Sequence, residues 1–430
     1  MRAIIQKSNN LKGAIIAPSS KSQTIRGLIL GLLANGTSTL SNPLHSDDTK
    51  EAIKVCEDLG AKIKASKNQI TIKSKVPIES KTGKINAGNS GITTRFILPV
   101  LGLRSELSKP TNFDCGQQMK KRPIASLVNA LNDLGMVISY KNQSGKCPLV
   151  VSGRLKGGKT QIDGITSQYL SALLLSLPLA PNDSEIEVKN LHERPYVDMT
   201  LNWLNKLGIK YTHRNIGKTD AYQIKGGQKY HGFKKVIPGD FSSASCLLVA
   251  GCLLGSKVVL KGLSLKDSQG DKKIVEILKR MGADINTLRG QIVVKSKRVL
   301  HGVNIDANNI PDLLPALAVI ATQAKGKTII KNVKQARIKE TDRIKSMTKG
   351  LRRMGAKIEE KSDGMIVYKS RLRGARVRGF NDHRTVMALT VAGLIAEGKT
   401  QITGSEAVNK TFPGFFSVMK KLGARIKLYD

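Results

Sequence analysis

Residues 59–63 read LGAKI, and close copies follow: LGMVI at 134–138, LGIKY at 207–211, MGADI at 281–285, MGAKI at 354–358 and LGARI at 422–426. Their glycines, Gly60, Gly135, Gly208, Gly282, Gly355 and Gly423, are spaced by 75, 73, 74, 73 and 68 residues. Each copy closes a helix-like run such as IVEILKRMG (274–282) or MTKGLRRMG (347–355). Glycine there supplies a left-handed C-cap, and the alternating residues beyond it begin a strand. Six copies at near-constant spacing are an internal repeat, with a period too long for a common solenoid.

Each repeat also carries an apolar helix rich in small residues, such as SALLLSLPLA (171–180), SASCLLVAGCLL (243–254), PALAVIATQA (315–324) and TVMALTVAGLIA (385–396). Strand-like pieces such as QITIKS, PLVVSG and KVVLKG fill the gaps. The expected unit is β-α-β-α-β-β, six times over, in an α/β (α+β) fold. Three units precede residue 237 and three follow, so two similar domains are expected. VIPGDFSSAS (236–245), with Pro238 and Gly239, reads as the crossover. A cleft between domains is the expected ligand site.

The chain has 430 residues, with 71 Lys+Arg against 32 Asp+Glu, a net charge of +39. Such a charge first raises nucleic-acid binding. The basic residues are spread along the whole chain, however, with no basic tail, and aromatics are only 4%. Stacking platforms for single strands are therefore scarce, and no specific nucleic acid is expected. A positive field would equally recruit a small polyanion. There is no apolar run of about 18 residues, so no membrane span is expected. MRAIIQKSNNLKG at the start has no secretory h-region. Five cysteines without a CxxC pair fit reduced thiols in a cytoplasm, with neither zinc nor a disulfide framework. Nothing asks for an obligate interface, so a monomer is expected.

Candidate chemistry gathers at helix starts. APSSKSQTIR (17–26) sets Lys21 and Arg26 among Ser19, Ser20, Ser22 and Thr24, just before an apolar run. Hydroxyls, backbone N–H groups and the positive dipole end then face one way, which favours anions. NAGNSGITTR (86–95) and GITSQYLSALLL (164–175) read as two more such starts, and Arg122-Pro123 as a fourth. Each alone is an ordinary cap, but several together point to a polyanionic ligand. No GxGxxG or P-loop spacing is present. In the C-terminal half, QARIKETDRIKSM (335–347) crowds Lys339, Glu340, Asp342 and Arg343. Taken singly it reads as a solvated helix start. Asp312, before an apolar helix, reads as an N-cap. Asp382, His383 and Arg384 open the very apolar segment 385–396, and Lys410 precedes a Pro-Gly turn.

These pieces, PSSKSQTIR, GNSGITTR, RPI, TSQYLSALL, IPDLLPALA, RIKETDRI, NDHRTVMAL and NKTFPGFF, run in order along the whole chain. The chain resembles the 5-enolpyruvylshikimate-3-phosphate synthase family, and the combination of KETDR, NDHR and KTFP is highly specific to it. The resemblance implies two domains of three β-α-β-α-β-β units in pseudo-threefold arrangement, with the active site in the interdomain cleft. It places 20–236 in the first domain and 1–19 plus 237–430 in the second, with hinges near 14–20 and 236–241.

The implied reaction moves the enolpyruvyl group of phosphoenolpyruvate to the 5-hydroxyl of shikimate 3-phosphate and releases phosphate, with no metal or organic cofactor. By resemblance, Lys21, Gly91, Arg122, Gln168, Arg343, Arg384 and Lys410 hold phosphoenolpyruvate. Lys21, Ser22, Arg26, Thr166, Ser167, Gln168, Asp312, Gln335 and Lys339 hold shikimate 3-phosphate. Such anions call for Arg forks and Lys point charges. Asp312 is the expected base for the hydroxyl and Glu340 the acid for the methylene carbon, with Lys21 a contender. His383 orients a site group.

Some positions depart from the family. Ile92 stands where Thr is usual and Phe96 where Pro or Leu is usual, and Gln335 replaces a common Asn. From Ile92 and Phe96 we expect tolerance of glyphosate, an inhibitor slightly bulkier than phosphoenolpyruvate at the same site. HERPY (192–196) is variable ground for the family. The rival reading within the same fold is UDP-N-acetylglucosamine enolpyruvyl transferase, which uses a loop cysteine. Cys115 lies in a comparable region, but KETDR and NDHR belong to the shikimate branch.

Overall fold

The computed structural model describes residues 1–107, 109–217, 219–288, 290–296 and 299–430. The chain divides into two compact units, Ser20–Ile237 and Met1–Ser19 with Pro238–Asp430. Each has its own hydrophobic core.

All six repeat glycines have positive φ, from 73° at Gly208 to 104° at Gly423. Each follows the C-cap of a helix: Asp47–Asp58, Ala125–Asp133, Arg194–Lys206, Ile274–Arg280, Arg343–Arg353 and Phe415–Lys421. Such a φ is costly for a residue with a Cβ, so glycine stops the helix and turns the chain into the next strand.

One repeat shows the pattern. Lys84–Asn86 runs parallel to Thr111–Asp114, with the buried helix Gly91–Val100 between them in sequence. Thr111–Asp114 pairs antiparallel with Leu149–Gly153, which forms a hairpin with Met136–Tyr140. Among the described residues each unit holds three such sheets. Three are completed by strands distant in sequence, and in one of these Leu11–Ile16 runs parallel to Gly255–Lys261. In the Ser20–Ile237 unit, Tyr230–His231 and Lys234–Val236 pair in parallel with Ala34–Ser41, giving that sheet a fifth strand. In the other unit the N-terminal strand Arg2–Gln6 lies between Lys399–Thr403 and Arg425–Tyr429. The repeats are therefore closed circularly, not simply strung in tandem.

The helices fall into two kinds. Lys21–Leu33, Gly91–Val100, Ser167–Ser176, Phe241–Leu254, Leu314–Ala321 and His383–Ile395 are buried on nearly every side. They lack a polar face, so only a core can hold them. Close packing needs small residues on them: a Cβ at Gly31 would lie 3.0 Å from Ile72, and one at Gly393 would lie 3.0 Å from Ile5. The helices that end at the repeat glycines keep an exposed polar side. No helix among the described residues is long and apolar enough to cross a membrane.

Candidate active site

The ends of the buried helices carry the polar groups. Five are capped by Ser20, Ser90, Thr166, Asp240 and Asp382, whose side chains accept backbone N–H bonds from the first turn. Short oxygen-bearing residues suit that position because the first N–H groups of a helix have no partner within it. Leu314–Ala321 differs. It grows from a 3-10 turn, Pro311–Leu313, and no side chain caps it. Asp312 is thus not the N-cap that its position suggested.

The Asp312 carboxylate instead joins a charged knot in the Pro238–Asp430 segment. Arg343 is 1% exposed and opens the Arg343–Arg353 helix. Its guanidinium donates Nη1 to Asp312 Oδ1 (2.6 Å), Nη2 to Glu340 Oε2 (2.8 Å) and Nε to Asp382 Oδ2 (3.0 Å). Asp382 also accepts from Thr385 N–H through Oδ1 (2.8 Å). Arg384 reaches Asp312 Oδ2 (3.4 Å) and Ser243 Oγ (3.3 Å), with Asp240 at 3.9 Å. Within KETDR, Arg343 is therefore the buried centre of an ion network, while half-buried Asp342 caps the helix and pairs with Arg337 (2.6 Å). Burial opposes ionisation of Asp312, but Arg343, Arg384 and Lys339 outweigh it and hold the carboxyl far below the usual range, with Glu340 opposing them.

Around this knot, Gln335 is buried and donates Nε2 to the Asn308 carbonyl (2.6 Å). Its Oε1 is buried with no hydrogen-bond partner among the described residues. Lys410 donates Nζ to the Asn381 carbonyl (2.8 Å) and to Asn381 Oδ1 (3.0 Å). Phe380 and Asn381 have φ of 53° and 52°, an uncommon backbone for residues with side chains, and Lys410 braces that turn. His383, buried, follows one residue further on, after Asp382.

In the Ser20–Ile237 unit, Lys21 Nζ pairs with Asp48 Oδ2 at 2.8 Å. Ser22 lies beside it on the first turn. Arg26 is turned inward: Nε donates to Thr200 Oγ1 (2.8 Å), Nη1 to the Ser22 carbonyl (3.1 Å), and Nη2 to the Tyr196 carbonyl (2.8 Å) and Ser171 Oγ (3.4 Å). Its plane lies over Phe96, 5.1 Å from the ring centre. Arg26 is a structural clasp in this state, not an open anion fork.

The Gly91–Val100 helix places Arg95 where Nη1 meets Gln168 Oε1 (2.7 Å) and Nη2 meets the Pro123 carbonyl (3.0 Å). Arg122 sits in the turn ahead of Ala125–Asp133, not at that helix's capping position, which Ile124 fills. A Cβ on Gly91 would collide with the Arg122 guanidinium and lie 3.2 Å from Arg95 Nη1. The absence of a side chain at 91 is what lets Arg122 approach this helix N-terminus. Ile92 and Phe96 are both buried in the core below. Thr166 and Ser167 open the next helix, and both contact the carboxylate of Glu193.

Several contributors are not candidates in the sequence read alone: Asp48, Glu193, Asp240 and Ser243. Glu51 is another. Its two carboxylate oxygens accept from Asn89 N–H (3.0 Å) and Ser90 N–H (2.9 Å). Each is remote in sequence from the group it serves.

Comparison with known proteins gives this arrangement a name. The family model described as EPSP synthase (3-phosphoshikimate 1-carboxyvinyltransferase) matches residues 5–419. The chain belongs to the EPSP synthase family. It is 44% identical over 425 residues to the 3-phosphoshikimate 1-carboxyvinyltransferase of Acetivibrio thermocellus, covering 98% of each chain. It is 39% identical over 432 residues to the enzyme of that name from Methanocaldococcus jannaschii, covering 99% of each. A solved EPSP synthase from Acinetobacter baumannii is similar over 100% of both chains, with a TM-score of 0.83 at 25% identity. Membership favours the shikimate branch over the UDP-sugar branch of the same fold.

Proposed function

We propose that the chain transfers the enolpyruvyl group of phosphoenolpyruvate to the 5-hydroxyl of shikimate 3-phosphate and releases phosphate. The observation that carries this reading is the Arg343 knot, which holds both candidate proton carriers, Asp312 and Glu340, on one cation. Cations that bind the donor's phosphate and carboxylate would then also set the basicity of those carboxylates.

Phosphoenolpyruvate is held by Lys21, Arg122, Gln168, Arg343, Arg384 and Lys410, with the Gly91 backbone alongside. Shikimate 3-phosphate is held by Lys21, Ser22, Thr166, Ser167, Gln168, Asp312, Gln335 and Lys339. The buried, unpartnered Oε1 of Gln335 suits a ring hydroxyl. Arg26 acts through the Ser22 and Tyr196 carbonyls that it grips.

The chemistry is addition followed by elimination. Asp312 takes the proton of the attacking hydroxyl as its oxygen bonds to C2 of the donor, and Glu340 protonates the methylene carbon. The C2–O bond to phosphate then breaks as the methyl group returns a proton. A carboxylate held as low as Asp312 is a weak base. The donor's negative groups offset Arg343 and Arg384, so Asp312 gains basicity only when the donor is in place. Proton removal is thereby tied to a filled site. His383 orients this group of side chains. The enzyme works as a cytoplasmic monomer without metal or organic cofactor.

The test is phosphate release from phosphoenolpyruvate with and without shikimate 3-phosphate. Release with both, lost in Lys21→Ala and Glu340→Ala, supports the reading. Release only with UDP-N-acetylglucosamine as acceptor would overturn it.

A further inference from the structure

Glu193 heads the Arg194–Lys206 helix with φ 58° and ψ 37°, in the left-handed region, and is 1% exposed. Its side chain makes no capping bond to its own helix. It crosses instead to the N-terminus of Ser167–Ser176, where one oxygen, Oε2, accepts from Ser167 Oγ (2.9 Å), Ser167 N–H (3.3 Å) and Thr166 Oγ1 (3.4 Å). Two hydroxyls and a helix-terminal N–H converging on one anionic oxygen is the donor set that a phosphate oxygen takes. Left-handed backbone is uncommon and strained for a residue with a side chain. That strain serves no helix cap here.

We propose that Glu193 sets the affinity for the acceptor: its carboxylate fills the phosphate cradle in the free enzyme and has to leave Ser167 for the 3-phosphate to enter. The proposal rests on the assignment of Thr166 and Ser167 to that phosphate under Proposed function. A carboxylate and a phosphate dianion cannot share these donors, because the like charges would stand within hydrogen-bonding distance of each other. The residue after Glu193, Arg194, is forked onto buried Asp220 at 2.7 and 2.5 Å, and Asp220 also bonds His213 at 2.8 Å, which anchors the start of the helix. The ligand class is a phosphate monoester, with inorganic phosphate as a weaker occupant of the same cradle.

The test compares the unaltered enzyme with Glu193→Gln and Ser167→Ala in steady-state phosphate release. Glu193→Gln keeps shape and one acceptor but removes the charge. We expect KM for shikimate 3-phosphate to fall about tenfold, equivalent to about 1.4 kcal/mol. We expect kcat to change far less, and inorganic phosphate to compete with the acceptor more strongly. Ser167→Ala should raise the same KM. If Ser167→Ala leaves it unchanged, the cradle assignment fails. If Ser167→Ala raises it but Glu193→Gln does not lower it, the proposal about Glu193 alone fails. A crystal structure of the unaltered enzyme with shikimate 3-phosphate decides independently of any variant. Glu193 displaced, with Ser167 on the phosphate, supports the proposal; the 2.9 Å contact intact beside a bound acceptor overturns it.

Discussion

Arg343 Nη1 lies 2.6 Å from Asp312 Oδ1, and the same guanidinium also holds Glu340 and Asp382. A cation 1% exposed between three carboxylates is stable only because each partner is hydrogen-bonded. Removing it leaves those charges facing one another. Arg343→Ala should lower unfolding stability by about 3–5 kcal/mol and abolish phosphate release. Arg343→Lys should recover part of the stability and little of the activity, since a lysine cannot reach three partners in a plane. Denaturant unfolding beside activity assays checks both; an Arg343→Ala protein of unchanged stability would contradict the account.

Asp271 sits at the edge of this network and is 1% exposed, with its carboxylate accepting from the Ser242 hydroxyl. Burial, with the charge of Asp312 adding to it, pushes its pKa up to about 7 against the pull of Ser242 and Arg384. An unfolded aspartate titrates near about 3.9. Between these values the folded chain keeps a proton that the unfolded chain has lost. This group's contribution is therefore full below about pH 4 and is lost as pH rises through about 7. Asp271→Asn should be more stable than the unaltered protein at pH 8, by up to about 4 kcal/mol, with the gap closing towards pH 4. Denaturant midpoints across that range measure it, and a gap independent of pH would refute it.

Gly91 is required by its neighbour and not by its backbone, because a Cβ there meets Arg122. Alanine favours a helix over glycine by up to about 1 kcal/mol. Gly91→Ala should therefore keep or raise stability while raising KM for phosphoenolpyruvate by about tenfold or more. A variant with an unchanged KM would show that Arg122 adjusts freely.

Ile92 and Phe96 are buried on the helix that begins at Gly91, and Arg26 lies over the Phe96 ring. With no hydroxyl at 92 and a bulky ring at 96, the packing behind Gly91 differs from the family's usual form. We expect activity to persist in micromolar glyphosate at modest phosphoenolpyruvate, and Ile92→Thr to increase sensitivity. Strong inhibition of the unaltered enzyme at micromolar glyphosate would end this idea.

The repeat and its strand–helix order are legible in the sequence because they rest on local rules. Gly60 and its five counterparts each stop a helix by a backbone preference that needs no distant partner. The same holds for the caps Ser20, Ser90, Thr166 and Asp382, which bond within their own first turn. Asp312 misled for the same reason, since an aspartate before an apolar helix has the local form of a cap while its partners are elsewhere.

What only the tertiary structure decided is which charge meets which. Asp48 is 27 residues from Lys21, Arg95 is 73 from Gln168, and Asp382 is 39 from Arg343. The direction in which Arg26 points, the seat of Glu193 on Ser167 and the pairing of Asp312 with Arg343 likewise depend on separate repeats packing their buried helices together. Hydrogen bonds and ion pairs act over about 3–4 Å, and nothing in the local pattern encodes a meeting at that range. The sequence determined the repeat, the helix caps and the supply of charge. The packing of the buried helices determined how those charges are spent.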